Sequence, residues 1–262
     1  MALIQKPFGF GLATARAEMS EVPQSNLVVH SRADTDVTDA GGGLVSEWGN
    51  TAGDNWFPRG TTGLSSVSTD YAPTIVAAGT VGTLAGAGYI QFPGVDERLV
   101  TNANVGSQGS SESMHMFGVI YIDTWRVYGQ ILNTYGGGAT HLWMMGSDAS
   151  SAFIHPACDG APYGQTDIEI GEWFYYNTYW ADGAYVAYVQ VNNGTQETAS
   201  GNFGHSNANS PGWSGHLDLM ASEHNGGYVH ARVAEQICYS AKQTGSNLTD
   251  IEDYINGQYG LW

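Results

Sequence analysis

Basic residues are scarce in this chain. Of its 262 residues, 8 are Lys or Arg and 25 are Asp or Glu, which gives a formal net charge of −17. Binding to nucleic acid requires clustered basic side chains that neutralise phosphates, and an anionic membrane surface attracts the same residues. The composition therefore excludes nucleic acid as a direct partner and disfavours a membrane surface. A basic docking surface on another protein would be complementary.

Cysteines and long apolar runs are also few. Cys158 and Cys238 are too few for a disulfide framework. They either form one bridge or remain as two buried thiols, and we favour the thiols. No window reaches the ~18 apolar residues of a membrane-spanning helix, and residues 1–15 match a signal peptide poorly. We therefore expect no membrane insertion and synthesis in the cytoplasm.

What the chain does contain is a series of short apolar or alternating runs separated by Gly, Asn and Ser. These runs predict strands at 27–30, 44–48, 89–92, 114–122, 130–132, 142–145, 173–179, 185–191, 217–220 and 233–239. The nearly continuous apolar run at 114–122 is typical of a central strand covered on both faces. Asn193-Gly194 is the preferred pair of a tight type I′ hairpin. Residues 27–262 are thus predicted to form one all-β, two-sheet antiparallel sandwich.

One short helix is expected near the C-terminus. Thr249 and Glu252 have the spacing of a capping box, and Gly257 has the position of a C-cap. The apolar residues between them recur at spacings of three and four, namely Ile251, Tyr254 and Ile255. A helix of about two turns does not stand alone, so it should pack against the sandwich.

Residues 1–26 lack strand alternation. We interpret them as an extended arm or short helix outside the sandwich, either a floppy terminus or an arm that packs on a neighbouring subunit. The candidate contact residues of such an assembly arm are Lys6, Phe8, Phe10 and Arg16.

Four stretches in order resemble the laminin-G-like branch of the concanavalin superfamily. They are residues 32–54 (with VSEW at 45–48), 89–96 (YIQFPGVD), 171–194 (ending in VQVNNG) and 233–261 (VAEQICY, closing in YGL). The chain departs from the family pattern at Asn50, where an Asp is usual, and at Gln258, where a basic residue is usual. The resemblance implies a concanavalin-like jelly roll. It implies no single function, because this fold occurs in lectins, adhesion modules, hydrolases and structural domains of tailed-phage virions.

One acidic segment is a candidate for catalysis. Glucanases on this fold carry an E-x-D-x-x-E strand, whereas Asp167, Glu169 and Glu172 have the order D-x-E-x-x-E. Asp167 and Glu169 would share a strand face, and Glu172 would join them only if Gly171 formed a bulge. We interpret the segment as a solvated acidic turn and predict no catalytic residue.

Asp34, Asp36 and Asp39, with Asp96 as a fourth candidate, could supply oxygen ligands to Ca²⁺. Their spacing does not fit an EF-hand. The alternative is Asx-turn chemistry before the glycines at 41–43. We predict no metal or other cofactor, with Ca²⁺ as the alternative.

A polar loop at 202–215 suits sugar recognition, which combines an aromatic face with amide, carboxylate and imidazole groups. The candidate glycan-binding residues are Trp213, His205, His224 and Asn225. The alternative is that Trp213 is a core or subunit contact.

Together these features predict a non-enzymatic structural protein of a bacteriophage virion. It would be a capsid decoration or tail-associated homo-oligomer, with other virion proteins and its own copies as partners. Two alternatives are a glycan-binding adhesin or receptor-binding module, and a glycoside hydrolase.

Overall fold

The computed structural model describes residues 21–53, 55–59, 68–80, 83–101, 113–124, 129–134, 140–145, 153–158, 161–162, 166–181, 186–200, 217–220 and 228–262. Over these ranges the chain forms short and long β-strands and one α-helix. In chain order they are β1 Leu27–Arg32, β2 Val37–Asp39, β3 Val45–Trp48, β4 Trp56–Pro58, β5 Thr74–Val76, β6 Tyr89–Phe92, β7 Leu99–Thr101, β8 Ser113–Thr124, β9 Gln130–Thr134, β10 Thr140–Met145, β11 Phe153–Cys158, β12 Ala161–Pro162, β13 Thr166–Asp167, β14 Trp173–Ala181, β15 Val186–Val191, β16 Glu197–Ser200, β17 Leu217–Leu219, β18 His230–Tyr239 and α1 Ser246–Tyr259.

The strands form two antiparallel sheets. The first has the order β16-β15-β14-β8-β18-β6-β5, and β1 pairs with β18 beside β6. The second has the order β12-β11-β10-β9-β17-β7-β4-β3-β2, and β13 pairs with β11. The predicted fold class is confirmed: the protein is a two-sheet jelly-roll sandwich with a C-terminal helix.

The central strand β8 is buried on both faces, as its apolar run predicts. Met114 and Ile120 enter the core between the sheets, whereas Phe117 and Val119 lie under the helix. Gly118 is required here, because a Cβ at this position would lie 2.4 Å from the Tyr176 ring. Each large apolar side chain buried in this way stabilises the fold by about 1.5–3 kcal/mol.

Helix α1 packs on the outer face of the first sheet, where Ile251 and Ile255 are fully buried. The helix is confirmed, but its predicted ends are wrong. It begins at Ser246, so Thr249 lies inside it and donates its hydroxyl to the Gly245 carbonyl at 3.3 Å. It runs through Gly257 and ends at Tyr259, and the C-cap is Gly260, which has a left-handed φ of 64°. Tertiary burial of the last turn outweighs the weak helix propensity of glycine.

The hairpin predicted at Asn193-Gly194 is present, but its turn differs from the predicted one. Strands β15 and β16 pair, but residues 192–196 connect them, and the positive φ of 50° lies at Asn192. A type I′ turn needs positive φ at both central residues, so the two-residue turn is wrong. The Asn192 side chain instead accepts a hydrogen bond from the Tyr175 N–H at 2.9 Å, which anchors the loop to β14.

Of the predicted arm, Lys6, Phe8, Phe10 and Arg16 lie outside the described residues, while 21–26 rest on the sandwich. Val22 is buried with the residues under α1. Cys238 is a free, buried thiol, which excludes the disulfide, and burial raises its pKa to about 12. No helix among the described residues is long and apolar enough to cross a membrane.

Candidate functional site

A polar cleft of about 340 Å³ lies where β1 meets helix α1 and two neighbouring turns. It is lined by residues from five separate segments, namely Glu21, Gln24, His30, Arg32, Thr35, Asp36, Thr51 and Tyr254. Its volume falls in the range of small-molecule sites. Guanidinium, imidazole, carboxylate, hydroxyl and aromatic groups therefore converge in one cleft.

The wall of the cleft is fixed from behind by a buried carboxylate. Glu235 on β18 is fully buried and accepts three hydrogen bonds. His30 Nε2 lies 2.8 Å from Oε1, the Tyr254 hydroxyl donates to Oε1 at 2.9 Å, and the Tyr259 hydroxyl donates to Oε2 at 2.6 Å. His30 and Tyr254 also line the cleft. Their hydrogen bonds to the buried carboxylate therefore hold the cleft wall in one geometry.

Arg32, which lines the cleft, forms an ion pair with Asp34. Arg32 Nη2 lies 2.8 Å from Asp34 Oδ2, and the two side chains are 24% and 15% exposed. The Nε of Arg32 and the Oδ1 of Asp34 are both buried without a hydrogen-bond partner. An unsatisfied buried polar atom is rare in native structures. Here a donor and an acceptor on two paired side chains share this property.

Asn50 connects this region to the turn before β4. Its Oδ1 accepts from the His30 and Ala52 N–H groups at 2.9 and 3.0 Å, and its Nδ2 donates to the Val28 carbonyl at 3.1 Å. An aspartate could accept but could not donate to Val28. The asparagine at this position therefore has a structural reason, since its amide accepts from β1 and also donates to it.

Burial and neighbouring charges keep Tyr254 and Arg32 in defined protonation states. Burial, and then the charge of Glu235, raises the pKa of Tyr254 far above its ordinary value. Burial opposes charge on Arg32, but Tyr254, Asp34 and Glu235 together raise its pKa. The phenol is thus a neutral donor, and the guanidinium stays charged.

Two of the acidic residues considered for a metal accept hydrogen bonds from backbone N–H groups. Asp36 Oδ2 accepts from the Arg32 N–H at 3.2 Å. Asp39 Oδ1 accepts from the Gly41 and Gly43 N–H groups at 2.7 and 3.2 Å, which is Asx-turn geometry. In the described part of the chain, no three His, Cys, Asp or Glu residues gather to hold a metal ion.

The acidic segment at 167–172 leaves β13 and turns into β14. Asp167 and Glu169 are exposed on either side of the buried Ile168, and Glu172 is exposed as well. Gly171 has a φ of 90°, and its N–H donates to the Ile122 carbonyl at 3.0 Å. The segment is a surface turn that presents three carboxylates.

The predicted glycan-binding residues Trp213, His205, His224 and Asn225 lie outside the described residues, so they remain predictions. The cleft residues around His30 and Tyr254 were not predicted from the sequence. One signal was available, because Glu235 stands in an apolar strand and so has to be buried with partners.

Two antiparallel sheets over a common core, with a helix on the outer face, define a jelly-roll sandwich. No family model and no curated protein matches the chain. Solved structures do share the fold.

One is a Trypanosoma rangeli sialidase variant with trans-sialidase activity, at 15% identity and a TM-score of 0.60, covering 91% of this chain and 34% of that one. A second is a GH54 α-L-arabinofuranosidase, at 11% identity and a TM-score of 0.59, covering 84% and 52%. A third is domain 4 of AbnA, a GH43 extracellular arabinanase from Geobacillus stearothermophilus, in complex with arabinotriose. It has 11% identity and a TM-score of 0.54, and the match covers 88% of this chain and all of that one.

These findings correct the function predicted from sequence. The reported neighbours are glycoside hydrolases and a glycan-bound domain, and none is a virion protein. The prediction of a non-enzymatic virion structural protein is therefore wrong, and so is the exclusion of an enzyme. The prediction relied on the fold resemblance, the few charged residues, the expected arm and the poor match of residues 1–15 to a signal peptide, and none of these specifies a binding chemistry. The chain spans about one third to one half of the sialidase and arabinofuranosidase chains.

Proposed function

We propose that this protein binds saccharides, and that the cleft between β1 and α1 is the binding site. A sugar offers many hydroxyl groups, each of which donates and accepts hydrogen bonds. The cleft offers matching groups of both kinds, with donors on Arg32 and Gln24, acceptors on Asp36 and Glu21, and the Tyr254 ring.

The observation that carries the proposal is the convergence of hydrogen-bond donors and acceptors beside an aromatic ring, on Arg32, Asp36 and Tyr254. The Arg32 side chain is 24% exposed although it is paired with Asp34. A sugar hydroxyl oxygen can accept from a guanidinium N–H, and the same hydroxyl can donate to a carboxylate such as Asp36.

Two comparisons support this proposal. Domain 4 of AbnA, the structure matched along its whole length, was solved with arabinotriose. The ordered motifs at 32–261 also resemble the laminin-G-like branch of the concanavalin superfamily, which includes lectins. Arabino-oligosaccharides are therefore the first ligands to test.

The test is a glycan array followed by calorimetric titration with arabinotriose and related oligosaccharides. Arg32→Met should weaken saccharide binding by at least ~10-fold, because it removes the guanidinium fork from the cleft. Arg232→Met is the matched control: Arg232 is 23% exposed and bonds Asp123 at 2.6 Å, but lies outside the cleft. It should bind as the wild type does. A silent array, or equal losses in both variants, would refute the proposal.

A second candidate is glycoside hydrolysis, favoured by the turn that presents Asp167, Glu169 and Glu172 to solvent. Hydrolysis of this type needs two carboxylates on either side of the scissile bond. Incubation with arabino- and β-gluco-oligosaccharides should then release products that Glu172→Gln abolishes. Unchanged product release in Glu172→Gln would end this assignment.

A further inference from the structure

The charged groups around the cleft bear on which saccharides it can bind, a question on which the shared fold gives no information. Four carboxylates surround it. Glu21 and Asp36 line it, Asp34 is paired with the lining residue Arg32, and Glu235 is hydrogen-bonded to the lining residue His30. Within the described residues, the groups at the cleft that can carry a positive charge are one guanidinium and one imidazole, on Arg32 and His30.

Arg32 and His30 both already have carboxylate partners. Arg32 Nη2 bonds Asp34 at 2.8 Å, and its backbone N–H donates to Asp36 at 3.2 Å. His30 Nε2 bonds the buried Glu235 at 2.8 Å. A ligand carboxylate would have to displace Asp34 from Arg32, or lie among like charges in a partly desolvated cleft.

The carboxylates that line the cleft impose the same selection. Glu21 and Asp36 accept hydrogen bonds but cannot donate them when ionised. A sugar hydroxyl supplies a donor to them, whereas a ligand carboxylate in the same position has none to give.

Resting on the proposed saccharide site, we propose that the cleft takes uncharged saccharides and discriminates against saccharides that carry a carboxylate, such as uronic and sialic acids. Glu21 and Asp36 act by repulsion, as specificity often depends on disfavouring the wrong ligand. The expected preference is on the order of 10-fold or more at low salt.

The experiment measures binding of arabinotriose, xylotriose and galactotriose against trigalacturonic acid, and of lactose against sialyllactose. At least one neutral probe should bind, with each acidic counterpart ~10-fold weaker or silent. Glu21→Gln and Asp36→Asn should each reduce the ratio of neutral to acidic affinity several-fold. Raising the ionic strength should reduce this ratio as well, since salt screens repulsion between exposed charges.

Glu197→Gln is the control, because it removes one exposed carboxylate from β16 at the edge of the first sheet. It should leave the ratio of neutral to acidic affinity unchanged. That result would show that the repulsion comes from carboxylates at the cleft and not from the net charge of −17. Acidic probes that bind as tightly as neutral ones, or an equal effect of Glu197→Gln, would overturn this inference while leaving the saccharide site intact. If neither class of probe binds, the saccharide site itself is overturned, and the selectivity with it.

Discussion

Glu235 and its three donors make the cleft wall a single hydrogen-bonded unit. A buried carboxylate is stable only when paired and fully hydrogen-bonded. The sequence placed Glu235 in a strand and Tyr254 on an apolar helix face. It could not show that they meet, because a strand and a helix 19 positions apart have no fixed spacing.

This unit predicts unequal effects of two similar tyrosine substitutions. Tyr259→Phe removes a donor 2.6 Å from Glu235 and should lower the free energy of unfolding by about 1–3 kcal/mol. Tyr239→Phe removes a buried hydroxyl that has no hydrogen-bond partner and should be neutral or stabilising. Urea denaturation of both variants checks this. A Tyr239→Phe loss as large as that of Tyr259→Phe would contradict it.

His115 predicts how stability depends on pH. Its Nδ1 accepts from the Gln243 N–H at 2.9 Å, and Nε2 lies 2.6 Å from Asn177 Oδ1. Burial lowers the pKa of His115 from 6.5 to about 3. The folded protein therefore keeps the ring neutral while the unfolded chain protonates it.

The stabilisation is complete above pH 6.5 and is lost as the pH falls towards 3, with a slope of up to about 1.4 kcal/mol per pH unit. Denaturation curves between pH 7 and 4 should show this slope in the wild type, and His115→Gln should flatten it. His230→Gln, at a ring 38% exposed, should leave it in place. Parallel curves for wild type and His115→Gln would refute the assignment.

Helix α1 shows what local sequence signals can and cannot fix. Its existence and apolar face followed from Ile251, Tyr254 and Ile255, which are all buried. Its ends did not, because the capping signals at Thr249 and Gly257 compete with burial of Gln258 and Tyr259 on the sheet. Capping is worth about 1 kcal/mol, which is less than the burial of one large side chain.

Two glycine substitutions locate the end of the helix. Gly257→Ala, at an exposed position inside the helix, should raise the melting temperature through a gain of roughly 0.5–1 kcal/mol. Gly260→Ala places a Cβ at a φ of 64° and should cost about 1–2 kcal/mol. Calorimetry measures both. The reverse order of melting temperatures would place the C-cap at Gly257.

Taken as a whole, the molecule carries a charge of −17. Self-repulsion among like charges destabilises a compact state, and salt weakens it once charges lie further apart than the Debye length, about 10 Å at 0.1 M. The melting temperature should therefore rise between 20 and 300 mM NaCl. Scanning calorimetry in the two buffers measures the change. A fall would mean that surface ion pairs such as Arg32–Asp34 outweigh the repulsion.

The strand spacing and apolar faces were sufficient to predict an antiparallel sandwich with a packed C-terminal helix, because alternation and helical periodicity are local properties. Four three-residue strands, β2, β4, β5 and β7, were not predicted, because so short a run shows no period. The cleft required tertiary structure. Its residues come from 21–24, 30–36, 51 and 254, with Glu235 behind them. Only the pairing of β1 with β18 and the seating of α1 on that sheet bring these segments together, and no local pattern encodes a distance between segments more than 200 positions apart.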